Sequence, residues 1–98
     1  MHARSAVIDM PVEKIDEAVR FWEEEQLPKY REQAGYKGFT LLVNRDSGKV
    51  FGVSFWESEA AVRASDELAR QARADLAQAG SGTEQAREDW EVAIDDQA

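Results

Sequence analysis

Two runs in the middle of the chain, Gly38–Arg45 (GFTLLVNR) and Lys49–Glu57 (KVFGVSFWE), constrain the fold most. Both are rich in β-branched and aromatic residues, which suit a pleated, half-buried strand. Asp46-Ser47-Gly48 joins them. Asp and Ser bend the backbone through local hydrogen bonds and Gly accepts positive φ, as a tight hairpin requires. Phe39, Leu41 and Val43 face one way and Leu42 the other, while Phe51, Val53 and Phe55 alternate with Val50, Gly52, Ser54 and Trp56. Successive side chains of a strand point to opposite faces, so apolar groups occupy both faces of the hairpin. One layer of helices covers one face only. A second copy of the chain is the expected cover for the other.

The flanking segments supply that helical layer and two more strands. Arg4–Met10 (RSAVIDM) is short, contains β-branched residues and stops at a proline, the pattern of a first strand. Pro11 suits the first turn of a helix, where its missing N–H costs nothing. Val12, Ile15, Val19 and Trp22 then recur at helical spacing, with Glu13, Asp16, Glu17, Arg20, Glu23 and Glu24 as solvated charge on the other faces. Leu27-Pro28 breaks this pattern and predicts a kink or a short second helical piece, with Tyr30 on its inner side and Gly35 as its cap. After the hairpin, Ser58 is a good N-cap with Glu59 in the first turn. Val62, Ser65, Leu68 or Ala69, Ala72 and Leu76 predict one helix over Ser58–Gln78. Gly80-Ser81-Gly82 marks a flexible loop, Trp90–Asp95 (WEVAID) alternates as a final strand, and Asp96-Gln97-Ala98 is expected to fray. The order strand, helix, strand, strand, helix, strand predicts an α+β fold of the ferredoxin-like βαββαβ kind, an antiparallel sheet with two helices on one face. Two such sheets packed face to face form a dimeric α+β barrel and hide the apolar surface of the hairpin.

Length and charge narrow the function classes. The 98 residues suit a single domain. Without cysteine there are no disulfides, thiol nucleophiles, iron–sulfur clusters or thiolate zinc sites, and so small a core gains from a partner subunit. A net charge of −8 repels phosphate backbones and anionic lipids, so nucleic acid and membranes are not expected partners. The start, Met1 to Val7, lacks the apolar segment of a signal peptide, and no run approaches the ~18 apolar residues of a membrane span. A cytoplasmic location is the expectation, in keeping with the lack of cysteine.

Leu27-Pro28-Lys29-Tyr30, Gly35-Tyr36-Lys37-Gly38-Phe39, Asp46-Ser47-Gly48 and Phe55-Trp56-Glu57-Ser58-Glu59-Ala60 follow one another in a particular order and spacing. In these elements the chain resembles the antibiotic-biosynthesis-monooxygenase-like proteins. The resemblance implies the dimeric α+β barrel and a group that includes cofactor-independent monooxygenases of polycyclic phenols, haem-degrading enzymes and small proteins without an assigned reaction. Haem-degrading members carry an asparagine on the first strand, a tryptophan ending the third and a histidine on the second helix. Only the tryptophan has a counterpart, Trp56; Arg4–Met10 holds no asparagine and Ser58–Gln78 no histidine, so no haem and no other cofactor is expected. In phenol-oxidising members an asparagine four residues before that tryptophan matters, and Gly52 stands there.

Trp56, where a strand meets a helix, is the sharpest candidate site residue, with Trp22, Tyr30, Tyr36 and Phe39 as neighbours around an apolar pocket for a flat ligand. The same aromatics also suit plain core filling. Trp56 and Tyr30 are the candidate catalytic positions. His2 could act as a base or ligand but adjoins Met1 and is expected to be disordered. Glu23-Glu24-Glu25 and Asp95-Asp96 are consecutive, so their side chains diverge and no metal site is predicted. Asn44-Arg45 offers carboxylate binding or, more simply, turn stabilisation and surface salt bridging. Ser54 and Ser65 have no nearby histidine to activate them. Gly80-Ser81-Gly82 lacks the lysine of a phosphate-binding loop. The expected protein is a homodimer that binds or oxidises an apolar or aromatic metabolite without a cofactor, or else a non-catalytic interaction module on the same fold.

Overall fold

A computed structural model describes residues 1–80 and 83–96, without the side chains of 73, 76–80 and 83–85. Strands β1 (His2–Asp9), β2 (Tyr36–Asn44), β3 (Lys49–Trp56) and β4 (Thr83–Glu91) form one antiparallel sheet in the order β2-β3-β1-β4. Between β1 and β2 the chain is helical through a 3-10 turn (Val12–Lys14), α1 (Ile15–Phe21), a π-helical segment (Trp22–Gln26) and α2 (Leu27–Arg31). Helices α3 (Glu59–Ala64) and α4 (Asp66–Gly80) lie between β3 and β4. The helices pack on one face of the sheet, the ferredoxin-like α+β arrangement expected from the order of elements.

The hairpin forms as its turn residues dictate. The Asn44 side-chain oxygen accepts the backbone N–H groups of Asp46 (3.0 Å) and Ser47 (3.1 Å), and the Gly48 N–H returns to the Asn44 carbonyl at 2.9 Å. Gly48 has φ of 81°, and a Cβ there would lie 2.1 Å from the Met10 carbonyl oxygen. Met10 in turn donates its N–H to the Gly48 carbonyl at 3.0 Å, so only glycine lets the turn close onto the end of β1. Arg45 pairs with Asp16 at 2.9 Å across to α1. Asn44 and Arg45 therefore take the turn-stabilising and salt-bridging roles.

At Leu27-Pro28 the expected short second helical piece forms as α2, directly after the π-helical segment. The Leu27 N–H reaches the Trp22 carbonyl, five residues back, and the turn before the proline is widened. Proline removes one backbone donor and its ring crowds the carbonyl four residues earlier; a π-turn at that point gives the ring room without ending the helix.

The second half departs further from expectation. Ser58 caps α3 as predicted, its hydroxyl accepting the Ala61 N–H at 3.2 Å. The helix expected over Ser58–Gln78 is nevertheless interrupted at buried Ser65, whose hydroxyl donates to the Val62 carbonyl at 2.7 Å. A serine that bonds back to the preceding turn competes with the regular helix ladder. The final strand is Thr83–Glu91 and not Trp90–Asp95. Its register is set by β1: Asp9 pairs with Thr83 and His2 with Glu91; the Val92 N–H still reaches the Met1 carbonyl at 2.9 Å, and Ile94 is 86% exposed. His2, expected to be disordered, is the first residue of β1, between Trp56 and Glu91. Ser81, Gly82, Gln97 and Ala98, parts of the expected loop and tail, and the Leu76 side chain lie outside the described residues.

Alternation sorts the two faces of the sheet. Ile8, Val50 and Trp56 point to the helices and form the core with Ile15, Trp22 and Tyr30. The opposite face carries Val7, Phe51, Val53 and Phe55, with Leu42 56% and Trp90 47% exposed. Among the described residues no helix covers this apolar face, and none is long and apolar enough to cross a membrane.

Candidate functional site

The five aromatic candidates meet in one cluster under the helices. Trp22, at the start of the π-helical segment, stacks on Phe39 of β2 with centroids 4.8 Å apart and 15° between planes. Tyr30 of α2 lies 5.5 Å from Trp22, 6.0 Å from Phe39 and 6.1 Å from Trp56. Tyr36 meets Trp56 edge-on at 5.7 Å. Such tilted and offset contacts are favoured by the ring quadrupoles. Trp56 is fully buried and donates its indole N–H to the Ser54 hydroxyl at 2.8 Å. Burial raises the Tyr36 phenol above its ordinary pKa, partly offset by nearby Arg31, so Tyr36 stays neutral at physiological pH.

A cavity of about 40 Å³ lies between sheet and helices, and Trp22, Tyr30 and Phe39 are in its wall. Trp56 and Tyr36 stand behind that wall, with Ser54 linking Trp56 to it. Gly52 also lines the space: a Cβ there would come within 3.4 Å of Phe39 and 3.5 Å of Leu41. Any larger side chain at this position, asparagine included, would occupy the cavity. Trp22, Phe39 and Leu41 also border an outer groove of about 360 Å³ that runs along β2 beside Leu27. The stacked Trp22–Phe39 pair thus separates the inner cavity from the groove. A dry cavity of roughly 150 Å³ holds a benzene, so an aromatic guest requires that pair to part. Trp22 sits on a π-helical turn, a local irregularity common at functional sites.

The other end of the cavity is polar. Arg4 of β1 lines it, although its side chain is only 9% exposed. Its Nε donates to Asp89 at 3.1 Å, and its Nη2 donates to the Val62 carbonyl at 3.2 Å and to Asp66. Val62 and Asp66 lie on either side of the break at Ser65. On its outer side Arg4 borders a cleft of about 280 Å³ with Asp66, Glu67, Arg70, Arg87 and Asp89. The hydrogen bond from Arg70 holds the Glu67 carboxyl below the usual carboxylate range. Arg4 was not a candidate from sequence; its place in step with Ala6 and Ile8 on the core face of β1 was the available signal.

The remaining candidates stand apart. His2 lies in a separate cleft with Glu59, Arg63 and Asp89, its Nδ1 buried without a hydrogen-bond partner among the described residues. Glu23, Glu24 and Glu25 are exposed, and no group of three or more metal-ligating side chains occurs among the described residues. Ser65 is buried and engaged with Val62.

No family model matches the chain. In sequence it is similar to the uncharacterized protein Rv2557 of Mycobacterium tuberculosis, 34% identical over 93 residues, a match covering 95% of this chain and 41% of that protein. The chain thus spans about two fifths of the length of that relative. In structure it is similar to the heme-degrader MhuD of Mycobacterium tuberculosis, with two hemes bound in its active site (TM-score 0.73, 20% identity, 99% of this chain and 100% of that one). It is also similar to the monooxygenase from the gene ActVA-Orf6 of Streptomyces coelicolor in complex with Nanaomycin D (0.72, 18%, 98% and 92%). An antibiotic biosynthesis monooxygenase superimposes nearly as well (0.67, 17%, 96% and 100%). The chain has the antibiotic-biosynthesis-monooxygenase fold. The resemblance carried by Leu27–Tyr30, Gly35–Phe39 and Phe55–Ala60 is borne out at that level.

Within the antibiotic-biosynthesis-monooxygenase fold, the residues present here do not suit a haem. His2 is the one histidine of the chain and sits on β1 opposite Trp56, not on the helices over the cavity. The cavity of about 40 Å³ is small beside the ~300–1,000 Å³ of ordinary ligand pockets.

Proposed function

We propose that this is a homodimeric protein that binds an apolar or aromatic metabolite between sheet and helices. The observation that carries it is the cavity walled by Trp22, Tyr30 and Phe39 and left open by Gly52, with the Arg4 guanidinium at one end. A flat ring entering between Trp22 and Phe39 would replace one stacking contact by two. The dimer rests on the other sheet face, where Leu42, Phe51, Val53, Phe55 and Trp90 form an apolar surface with no helix over it among the described residues. Patches of this kind mark interaction sites, and a second copy laid face to face would close the barrel. The cytoplasm is the proposed location, on the lack of cysteine.

The enzyme class that fits is cofactor-independent oxidation of a phenol. A phenolate held beside Arg4 would pass one electron to dioxygen, the two radicals would recombine as a hydroperoxide, and loss of water would leave a quinone; phenol plus dioxygen gives quinone plus water. Tyr30, on the cavity wall, and Trp56, behind it, are the proposed positions that orient the ring. A second reading, a non-catalytic interaction module, is favoured by the small size of the cavity as it stands.

Native mass spectrometry of the protein as purified tests the proposal. The expected species is a dimer that retains a bound small molecule, lost in Gly52→Val, which fills the cavity. A stable monomer at micromolar concentration removes the barrel, and bound mass retained by Gly52→Val removes the cavity as its site.

A further inference from the structure

We infer that the molecule bound here is an organic acid, its apolar ring system in the cavity and its anionic oxygen received by Arg4, with Arg87 adding a second positive charge from the cleft. This rests on the proposal that the cavity binds an apolar or aromatic molecule, and deepens it. A guanidinium has five N–H donors. In Arg4 the Nε donor goes to Asp89 and Nη2 serves the Val62 carbonyl and Asp66. Nη1 makes no hydrogen bond among the described residues and is not itself sealed from solvent, which leaves two donors open to a ligand. Arg4 lines both the apolar cavity and the charged cleft, so this guanidinium is where an apolar guest and an anionic group meet.

The charges around it fit an anion. Asp66 and Asp89 are 63% and 60% exposed, so much of each carboxylate faces water, whereas the Arg4 side chain is 9% exposed. Glu67 is taken up by Arg70 through two hydrogen bonds of 2.6 and 2.7 Å. Arg87 stands two residues before Asp89 on β4, opposite Ala6 and on the face that looks into the cleft, with no ion pair among the described residues. Three arginines here face three carboxylates, whereas the chain as a whole carries a net charge of −8. An incoming acid therefore meets a local surface far less repulsive than the rest of the molecule. Charge-assisted hydrogen bonds from a buried guanidinium are among the stronger polar contacts a ligand can make.

The test is a fluorescence titration of the full chain with two probes that share one ring system, 8-anilinonaphthalene-1-sulfonate and the uncharged N-phenyl-1-naphthylamine. Arg87→Gln, an exposed position, is expected to weaken the sulfonate about two- to fivefold and leave the neutral probe unchanged. Arg4→Lys keeps the charge but loses two of the three guanidinium nitrogens, and is expected to weaken the sulfonate about tenfold and the neutral probe by less. If Arg4→Lys fails to fold, Arg87→Gln decides alone. Equal losses for both probes, or no loss of the sulfonate in Arg87→Gln, overturn the acid while the cavity stands. Failure of both probes to bind, or binding of both that Gly52→Val leaves intact, overturns the cavity itself.

Discussion

Trp56 donates its indole N–H to the hydroxyl of Ser54, two residues earlier on the same face of β3, and both groups are buried. The bond satisfies the one polar atom of the innermost ring and joins it to the cavity wall, which Ser54 lines. Ser54 is thus a structural acceptor, with no base beside it to make it a nucleophile.

Ser54→Ala strands the indole N–H in the core without an acceptor. A buried donor left unpaired costs about 1–3 kcal/mol, and urea denaturation followed by tryptophan fluorescence is expected to show that loss. In a Trp56→Phe background the same change is expected to cost less, because the donor is already gone. Equal losses in both backgrounds would mean that the Ser54–Trp56 bond contributes nothing.

Gly48→Ala places a Cβ against the Met10 carbonyl at a φ of 81°. The obstacle is backbone, held by the Met10–Gly48 hydrogen bond, and cannot swing away as a flexible side chain would. The expected cost is about 1–3 kcal/mol, read as a fall in thermal midpoint of roughly 4–8 °C per kcal/mol for a domain of this size. An unchanged midpoint would contradict the close approach of the turn to β1.

Tyr36→Phe isolates a pH dependence. Burial raises the Tyr36 phenol in the folded protein above its usual pKa of 10.0, so the folded state keeps a proton that the unfolded chain releases. The contribution of the phenol is constant below pH ~10 and is lost as pH rises from there through the raised folded value. Urea midpoints at pH 8 and pH 11 are expected to fall more in the parent chain than in Tyr36→Phe. Parallel falls would place the alkaline loss on other groups.

What a stretch of neighbouring residues encodes is legible in the amino-acid sequence alone. The alternation Phe39, Leu41, Val43 against Leu42, the turn at Asp46-Ser47-Gly48, the cap at Ser58 and the inward Tyr30 all follow from periods and hydrogen bonds that span a few positions. These local preferences determined the order of elements, the single helical layer and the aromatic cluster from which a site was sought. The far edge of the sheet was not legible, because Thr83–Asp89 is polar and alternates nothing; its strand exists only because β1 offers an antiparallel edge of matching length. Arg4 was equally silent. Its partners lie 58, 62 and 85 positions away, and only the fold brings the Val62 carbonyl, Asp66 and Asp89 around one guanidinium. Helix and turn propensities act between near neighbours, whereas a cavity and a buried charge arise where distant segments meet, so the elements came from the sequence and the site from their packing.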